Sequence, residues 1–189
     1  MSALLPGFGE AVLDAQGSFR AVLGAMAEPG TVHRVGGVVP PAPLDVATAA
    51  VLLTLVDGET TLHLDPAAMP AAEWVRFHCG APEVGRAEAA FVLTVGSVEL
   101  GGLATGNDEA PEGSATCIAQ AGALGVGTAY RLRGPGVLHS RLVRVAGLPE
   151  DFVAMWAANH ALFPRGVDLV LCAGDAVMAL PRSVSVEAG

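Results

Sequence analysis

The stretch Val46–Val56 constrains this chain most. Its 11 residues include two threonines and nothing more polar. A proline-rich turn (Pro40, Pro41, Pro43) and Asp45, a residue type that caps helices, precede it. It reads as a helix that is apolar on nearly every side, so the fold has to bury it. At that length it cannot span a membrane, which takes about 20 apolar residues.

The rest of the chain supplies the elements around that helix. From Val12 to Met26 the apolar residues Val12, Ala15, Phe19, Val22, Leu23 and Met26 recur at three- and four-residue steps, the period of an amphipathic helix. Gly17, Ala21 and Gly24 form a small-residue stripe on another face, where a backbone could pack closely. Pro29-Gly30 stops the helix. Thr31–Val35 alternates as a strand does, and so does Thr60–Leu64. Asp65-Pro66 reads as a cap with proline at the first helical position. The helix that follows carries Trp74, Phe77 and His78 on one face, with Glu73 and Arg76 as neighbours. Ala90–Val95 is a buried strand, and Gly101 to Ser114 is the longest irregular segment. Strands are expected at Thr116–Ala121, Thr128–Arg133 and Val137–Val145. Pro149, Glu150 and Asp151 open a helix bearing Phe152, Met155 and Trp156. A hairpin closes the chain: Asp168–Cys172, a Gly174-Asp175 turn, and Ala176–Leu180. Helices alternate with strands early, and strands cluster late. The fold class is therefore α/β, a single domain over residues 1–189 with a mixed sheet flanked by helices.

Several chemistries are excluded. All ten basic residues are arginine, so no lysine is present to form a Schiff base or to serve a phosphate loop. A net charge of −9 argues against nucleic-acid binding. Of the arginines only Arg131, Arg133, Arg141 and Arg144 lie close together, and they read as outward-facing strand residues. The five histidines lack ligand spacing, so no metal site is expected. No Gly-x-Ser-x-Gly elbow occurs. Gly122-x-x-Gly125-x-Gly127 precedes a strand rather than a helix, which makes it a plain loop and not a nucleotide fingerprint. Cys79, Cys117 and Cys172 are odd in number and widely spaced, as for reduced thiols in the cytoplasm. The start of the chain has no basic cluster ahead of an apolar run, so no signal peptide is expected. The hydrophobic class reaches 52% before the 24 glycines are counted, against a charged fraction of 15%. That excess points to surface meant for a partner.

The candidate chemical groups are few. Arg20 could grip an anion or pair with Asp14 or Glu28. Arg76 invites the same two readings. His78 could exchange a proton near neutral pH or simply pack on its helix. Arg165, in Phe163-Pro164-Arg165-Gly166, lies between helix and strand, where α/β folds often take ligands.

The order of short fragments is more specific than any one of them. Asp14-Ala15-Gln16, Ser18-Phe19-Arg20, Ala25-Met26 and Glu28-Pro29-Gly30 are followed by Val51-Leu52-Leu53-Thr54-Leu55. Then come Arg76-Phe77-His78, Ala81-Pro82, Thr105-Gly106, Ala110-Pro111-Glu112-Gly113 and Ala115-Thr116. Phe163-Pro164, Gly166, Asp168-Leu169 and Pro181-Arg182 complete the series. Together they resemble the PhnH family, the H subunit of the bacterial carbon–phosphorus lyase core complex. The resemblance implies a fold similar to pyridoxal-phosphate-dependent transferases but without that cofactor. It also implies a homodimer that joins G, I and J subunits. The implied reaction of the assembly replaces adenine at C1′ of ATP by a phosphonate oxygen, with ATP a substrate of the complex. No catalytic residue is carried over. Asp14, Gln16, Arg20, Glu28, Arg76, His78, Arg165, Asp168 and Arg182 are the candidates for an anion pocket or an interface. The alternatives are a stand-alone enzyme using Arg20, Arg76 and His78, or a binding module for a small anionic ligand.

Overall fold

The computed structural model describes residues 4–189. The helices are α1 (Ala11–Ala27), α2 (Val46–Leu55), α3 (Ala72–Cys79) and α4 (Phe152–His160). The strands are β1 (His33–Arg34), β2 (Leu62–Leu64), β3 (Phe91–Val95), β4 (Thr116–Gln120), β5 (Ala123–Arg133), β6 (Arg141–Ala146), β7 (Asp168–Ala173), β8 (Ala176–Leu180) and β9 (Ser185–Ala188).

Six strands form one sheet in the order β1-β8-β7-β4-β3-β2. Its β2, β3, β4 and β7 run parallel, while β8 pairs antiparallel with both β7 and β1. The sheet is mixed, as the pattern predicts. Strand alternation divides its side chains between two layers. Leu93, Ile118, Val170 and Cys172 pack with α1, α2 and α3. Val92, Cys117, Ala119, Leu169 and Leu171 face the other way. On that second side lie α4 and a small antiparallel sheet, β6-β5-β9. There Trp156 and Phe152 are fully buried, and Trp156 Nε1 donates to the Val184 carbonyl at 2.7 Å.

Helix α2 is buried as its sequence demands: Ala47, Thr48, Ala49, Ala50, Val51 and Leu52 are all buried. Its start is held differently from the expected cap. Asp45 makes no capping bond, and its carboxylate accepts the Gly174 N–H at 2.8 Å. Gln120 takes over: its Oε1 accepts the Asp45 N–H (2.7 Å) and the Thr48 hydroxyl (2.8 Å), and its Nε2 donates to Pro43 O (2.8 Å). Asp65 does cap, accepting the Ala68 N–H at 2.8 Å, but Pro66 sits in a turn and α3 begins only at Ala72. The small-residue stripe of α1 is split. A side chain at Gly24 would meet the His33 ring at 2.9 Å, whereas one at Gly17 would meet nothing within 4 Å.

Three strand expectations are corrected. The strand expected over Val137–Val145 begins only at Arg141. The segment Gly122–Gly127 is no plain loop. From Ala123 onward it is part of β5, where the pairing with β6 shifts register between Leu124 and Thr128. Gly125 and Gly127 have φ of 88° and 90°, values that suit glycine and permit the irregularity. The chain also does not end in the β7–β8 hairpin, because β9 adds to the free edge of β5.

Candidate functional site

The late motif fragments converge at the edge of the sheet where its parallel strands begin. Asp168 opens β7, and Arg182 lies just beyond β8. The hairpin register sets Leu169 opposite Leu180, which brings these two side chains together. Arg182 Nε lies 3.1 and 3.2 Å from the two carboxylate oxygens of Asp168. Arg182 Nη2 donates to Asp168 Oδ2 at 2.5 Å, and the Arg182 backbone N–H adds a fourth contact to that carboxylate at 2.8 Å. Both side chains are only about one-sixth exposed, at 15% and 16%. Arg182 Nη1 also donates to Pro111 O at 2.8 Å, tying down the Ala110–Gly113 turn.

Neighbouring loops lock onto the same corner. Gly166 N–H donates to Thr105 O (2.9 Å), and Asp168 N–H to Ala115 O (3.3 Å). Gly106 has φ 69°, and a side chain there would approach the Pro111 carbonyl oxygen within 2.8 Å, so the turn requires glycine. Asn159, which the sequence does not single out, holds Val167 from both sides: Nδ2 donates to its carbonyl (2.9 Å) and Oδ1 accepts its N–H (2.7 Å). His160 Nδ1 lies 2.8 Å from Arg182 O. Arg165 Nε lies 3.2 Å from Asp108 Oδ1 without hydrogen-bond alignment, and Asp108 is largely exposed. Beside the corner, Leu100–Leu103 and Thr105 face Met155, Ala158 and Leu162 across a cavity of about 420 Å³.

A sequence model of bacterial phosphonate metabolism proteins, designated PhnH, matches residues 6–187. The chain belongs to the PhnH family. It is 38% identical over 187 residues to the alpha-D-ribose 1-methylphosphonate 5-triphosphate synthase subunit PhnH of Rhizobium meliloti, covering 95% of this chain and 94% of that protein. It is 34% identical over 176 residues to a putative C-P lyase subunit protein, HtxG, of Stutzerimonas stutzeri, covering 91% and 85%. The corner described above gathers the PhnH-like fragments from Thr105 to Arg182.

The remaining candidates of this PhnH-family chain lie elsewhere. Gln16 and Arg20 are exposed on α1, and Arg20 forms no ion pair among the described residues. Asp14 turns inward along the same helix and accepts the Glu10 N–H at 2.8 Å. Glu28 acts through its backbone, its carbonyl accepting from Arg141 Nη1 (3.1 Å) and from the Thr31 hydroxyl (2.7 Å). Arg76 pairs with Glu83 at 3.1 Å rather than with Glu73. Trp74, His78 and Phe77 do form a ring cluster, with centroids 4.8 and 5.0 Å apart, yet Phe77 itself is 71% exposed. His78 Nε2 lies 3.0 Å from Leu5 O. Among the described residues no polar contact joins Arg20 to Arg76 or His78.

All three cysteines are free and buried. Burial is the main cause that raises each thiol from its ordinary 9.0 to about 12. Neutral, enclosed thiols are not nucleophiles. Among the described residues no three His, Cys, Asp or Glu side chains gather as metal ligands, and no helix is long and apolar enough to cross a membrane.

Proposed function

We propose that this chain is a subunit of an assembly that makes α-D-ribose 1-methylphosphonate 5-triphosphate, and that it supports the reaction rather than housing it. The observation that carries this reading is the end-to-end match to a protein named as the PhnH subunit of that synthase. In the proposed step the C1′–N bond of ATP breaks, a phosphonate oxygen bonds to C1′, and adenine leaves. ATP and phosphonate together bring several negative charges, which need a dense positive site or magnesium. Two of the arginines in the motifs are already hydrogen-bonded, Arg182 to Asp168 and Arg76 to Glu83, and Arg165 stands 3.2 Å from Asp108. With no lysine in the sequence, the chain has no group to hold pyridoxal phosphate covalently. A likeness to transferases that use that cofactor, and a cytoplasmic location, belong to the same proposal.

The surface suits a subunit. Val12, Phe19 and Leu23 stand 79%, 50% and 56% exposed along the outer side of α1, beside the polar Gln16 and Arg20. An apolar stripe of this kind is what a partner would cover. The partners proposed are the G, I and J subunits, together with a second copy of this chain. Co-expression with those subunits, followed by purification through a tag on one of them, tests the reading. The H-type chain should co-elute in fixed ratio. Its absence from the eluate, while it runs alone and monodisperse, contradicts the assignment.

A further inference from the structure

Three of the ten arginines stand together on the outer face of the small sheet. The register sets Arg131 opposite Leu142 and Ala129 opposite Arg144, and β9 places Glu187 beside Arg131 and Ser185 beside Arg133. Tyr130, Leu132 and Val143 are buried beneath the sheet. Alternate residues of a strand share a face, so Arg131, Arg133, Leu142 and Arg144 all point outward. Arg141 does not join them. It lies opposite buried Leu132, and its Nη1 donates to the Glu28 and Pro29 carbonyls.

Little on this face offsets the charge. Glu187 is the one acid in register with the arginines among the described residues, and it stays 3.6 Å from Arg133 Nε, beyond a strong hydrogen bond. Arg131 and Arg144 form no ion pair among the described residues. Arg144 donates to the Gly127 carbonyl at 3.1 Å, and Arg131 only approaches the Ser140 hydroxyl, at 3.5 Å. In a chain of net charge −9, this is a basic face set against an acidic remainder.

Spacing and apolar surface indicate what fits it. Arg131 and Arg133 are alternate residues of β5, about 7 Å apart, and Arg144 lies diagonally across from Arg131 at a similar separation. Side chains of any extended segment repeat at that interval, so carboxylates two residues apart would meet both β5 arginines. Guanidinium and carboxylate then pair bidentately. Leu142, beside Arg131, is 54% exposed, and with Arg144 and the 48% exposed Val32 it lines a cavity of about 300 Å³ at the free edge of β6. Arginine next to apolar side chains is the composition of a protein–protein contact. A polynucleotide would instead run on from the arginines over a surface that repels it.

We propose that this face docks an acidic segment of a partner protein, an extended stretch whose alternate carboxylates pair with Arg131 and Arg133 and whose next acid reaches Arg144. That the partner is another subunit rests on the assembly reading; the chemistry of the face does not.

The test is co-expression with the G, I and J subunits and purification through a tag on one of them. Arg131→Glu, Arg133→Glu and Arg144→Glu together should cut co-elution of this chain by about tenfold or more. Glutamine at the same three positions repeats the test without setting new acids beside Glu187, and should also lower co-elution. Lysine at all three keeps the charge and should co-elute better than the glutamine variant. The gap between wild type and the glutamine variant should narrow as salt rises. Melting temperatures should stay close to that of the wild type, since the side chains point outward. Undiminished co-elution of the glutamate and glutamine variants, a lysine variant no better than the glutamine one, or a gap that ignores salt would overturn the proposal and leave the assembly reading standing. Absence of the wild-type chain from the eluate would overturn both. Altered sedimentation of the isolated chain on the glutamine substitutions would put a second copy on this face. Retention of a duplex oligonucleotide by the wild type but not by that variant would put a nucleic acid there. Either result also overturns the proposal.

Discussion

The motif corner and the α1 flank treat polar groups in opposite ways. At the corner Asp168 and Arg182 are both about 85% buried, and each is satisfied by the other and by backbone. Along α1, Arg20 is exposed and unpaired among the described residues, the Ser18 hydroxyl is buried and unpaired, and Val12 is 79% exposed. The fragments that most resemble a family signature thus include the chain's internal bolts. Arg182 turns donors at Nε, Nη1 and Nη2 to Asp168 and Pro111, so the pair serves this chain's own fold. The flank, with groups left over, is where a ligand or partner has something to gain.

The sharpest way to break this contrast is Arg182→Ala. It strands a buried carboxylate and frees the Pro111 carbonyl, so urea unfolding should show a loss of about 3–5 kcal/mol. A near-neutral result would mean the corner is not structural. Next comes alkaline pH. Strands β4 and β7 bury Cys117 and Cys172 on opposite faces of the sheet, and burial raises these two thiols and that of Cys79 from 9.0 ordinarily to about 12. The folded chain holds protons that the unfolded chain releases. Stability should therefore be intact below pH 9 and fall as pH rises from 9 toward 12, by about 1.4 kcal/mol per pH unit for each thiol. Urea midpoints at successive pH values measure this, and native thiols that alkylate readily at pH 8 would contradict it.

The flank should respond in reverse. Replacing Val12, Phe19 and Leu23 with serine should change stability by no more than about 0.5 kcal/mol per site, yet reduce co-purification with the partner subunits. A large loss of stability would show that the face belongs to this chain's own core. Arg20→Ala should have the smallest effect on folding, within about 0.5 kcal/mol by the same unfolding assay.

The sequence foretold these two regions unequally. Helix α1, the buried α2 and the β7–β8 hairpin follow from period and turn residues, which are local signals. Strand β9 escaped because only Val186 of Ser185–Ala188 is buried, leaving no alternation to read. Gly125 and Gly127 looked like loop punctuation because a strand irregularity and a loop use glycine for the same reason. Arg76 finds Glu83 instead of Glu73 because the loop after α3 folds back, as shown by the bond from Leu62 N–H to Pro82 O at 2.9 Å. The corner was legible as a set of fragments, but not as a closed ion pair. Arg182 reaches Pro111 across 71 residues, and no local pattern encodes such a contact.

On the reading proposed above, this chain serves a reaction that it does not perform alone. Adenine release from ATP plus methylphosphonate should be followed with the G, I and J subunits and this chain together, with this chain omitted, and with this chain by itself. Release is expected from the full set, loss when this chain is left out, and none from the chain alone. Steady adenine release by the isolated chain would contradict it.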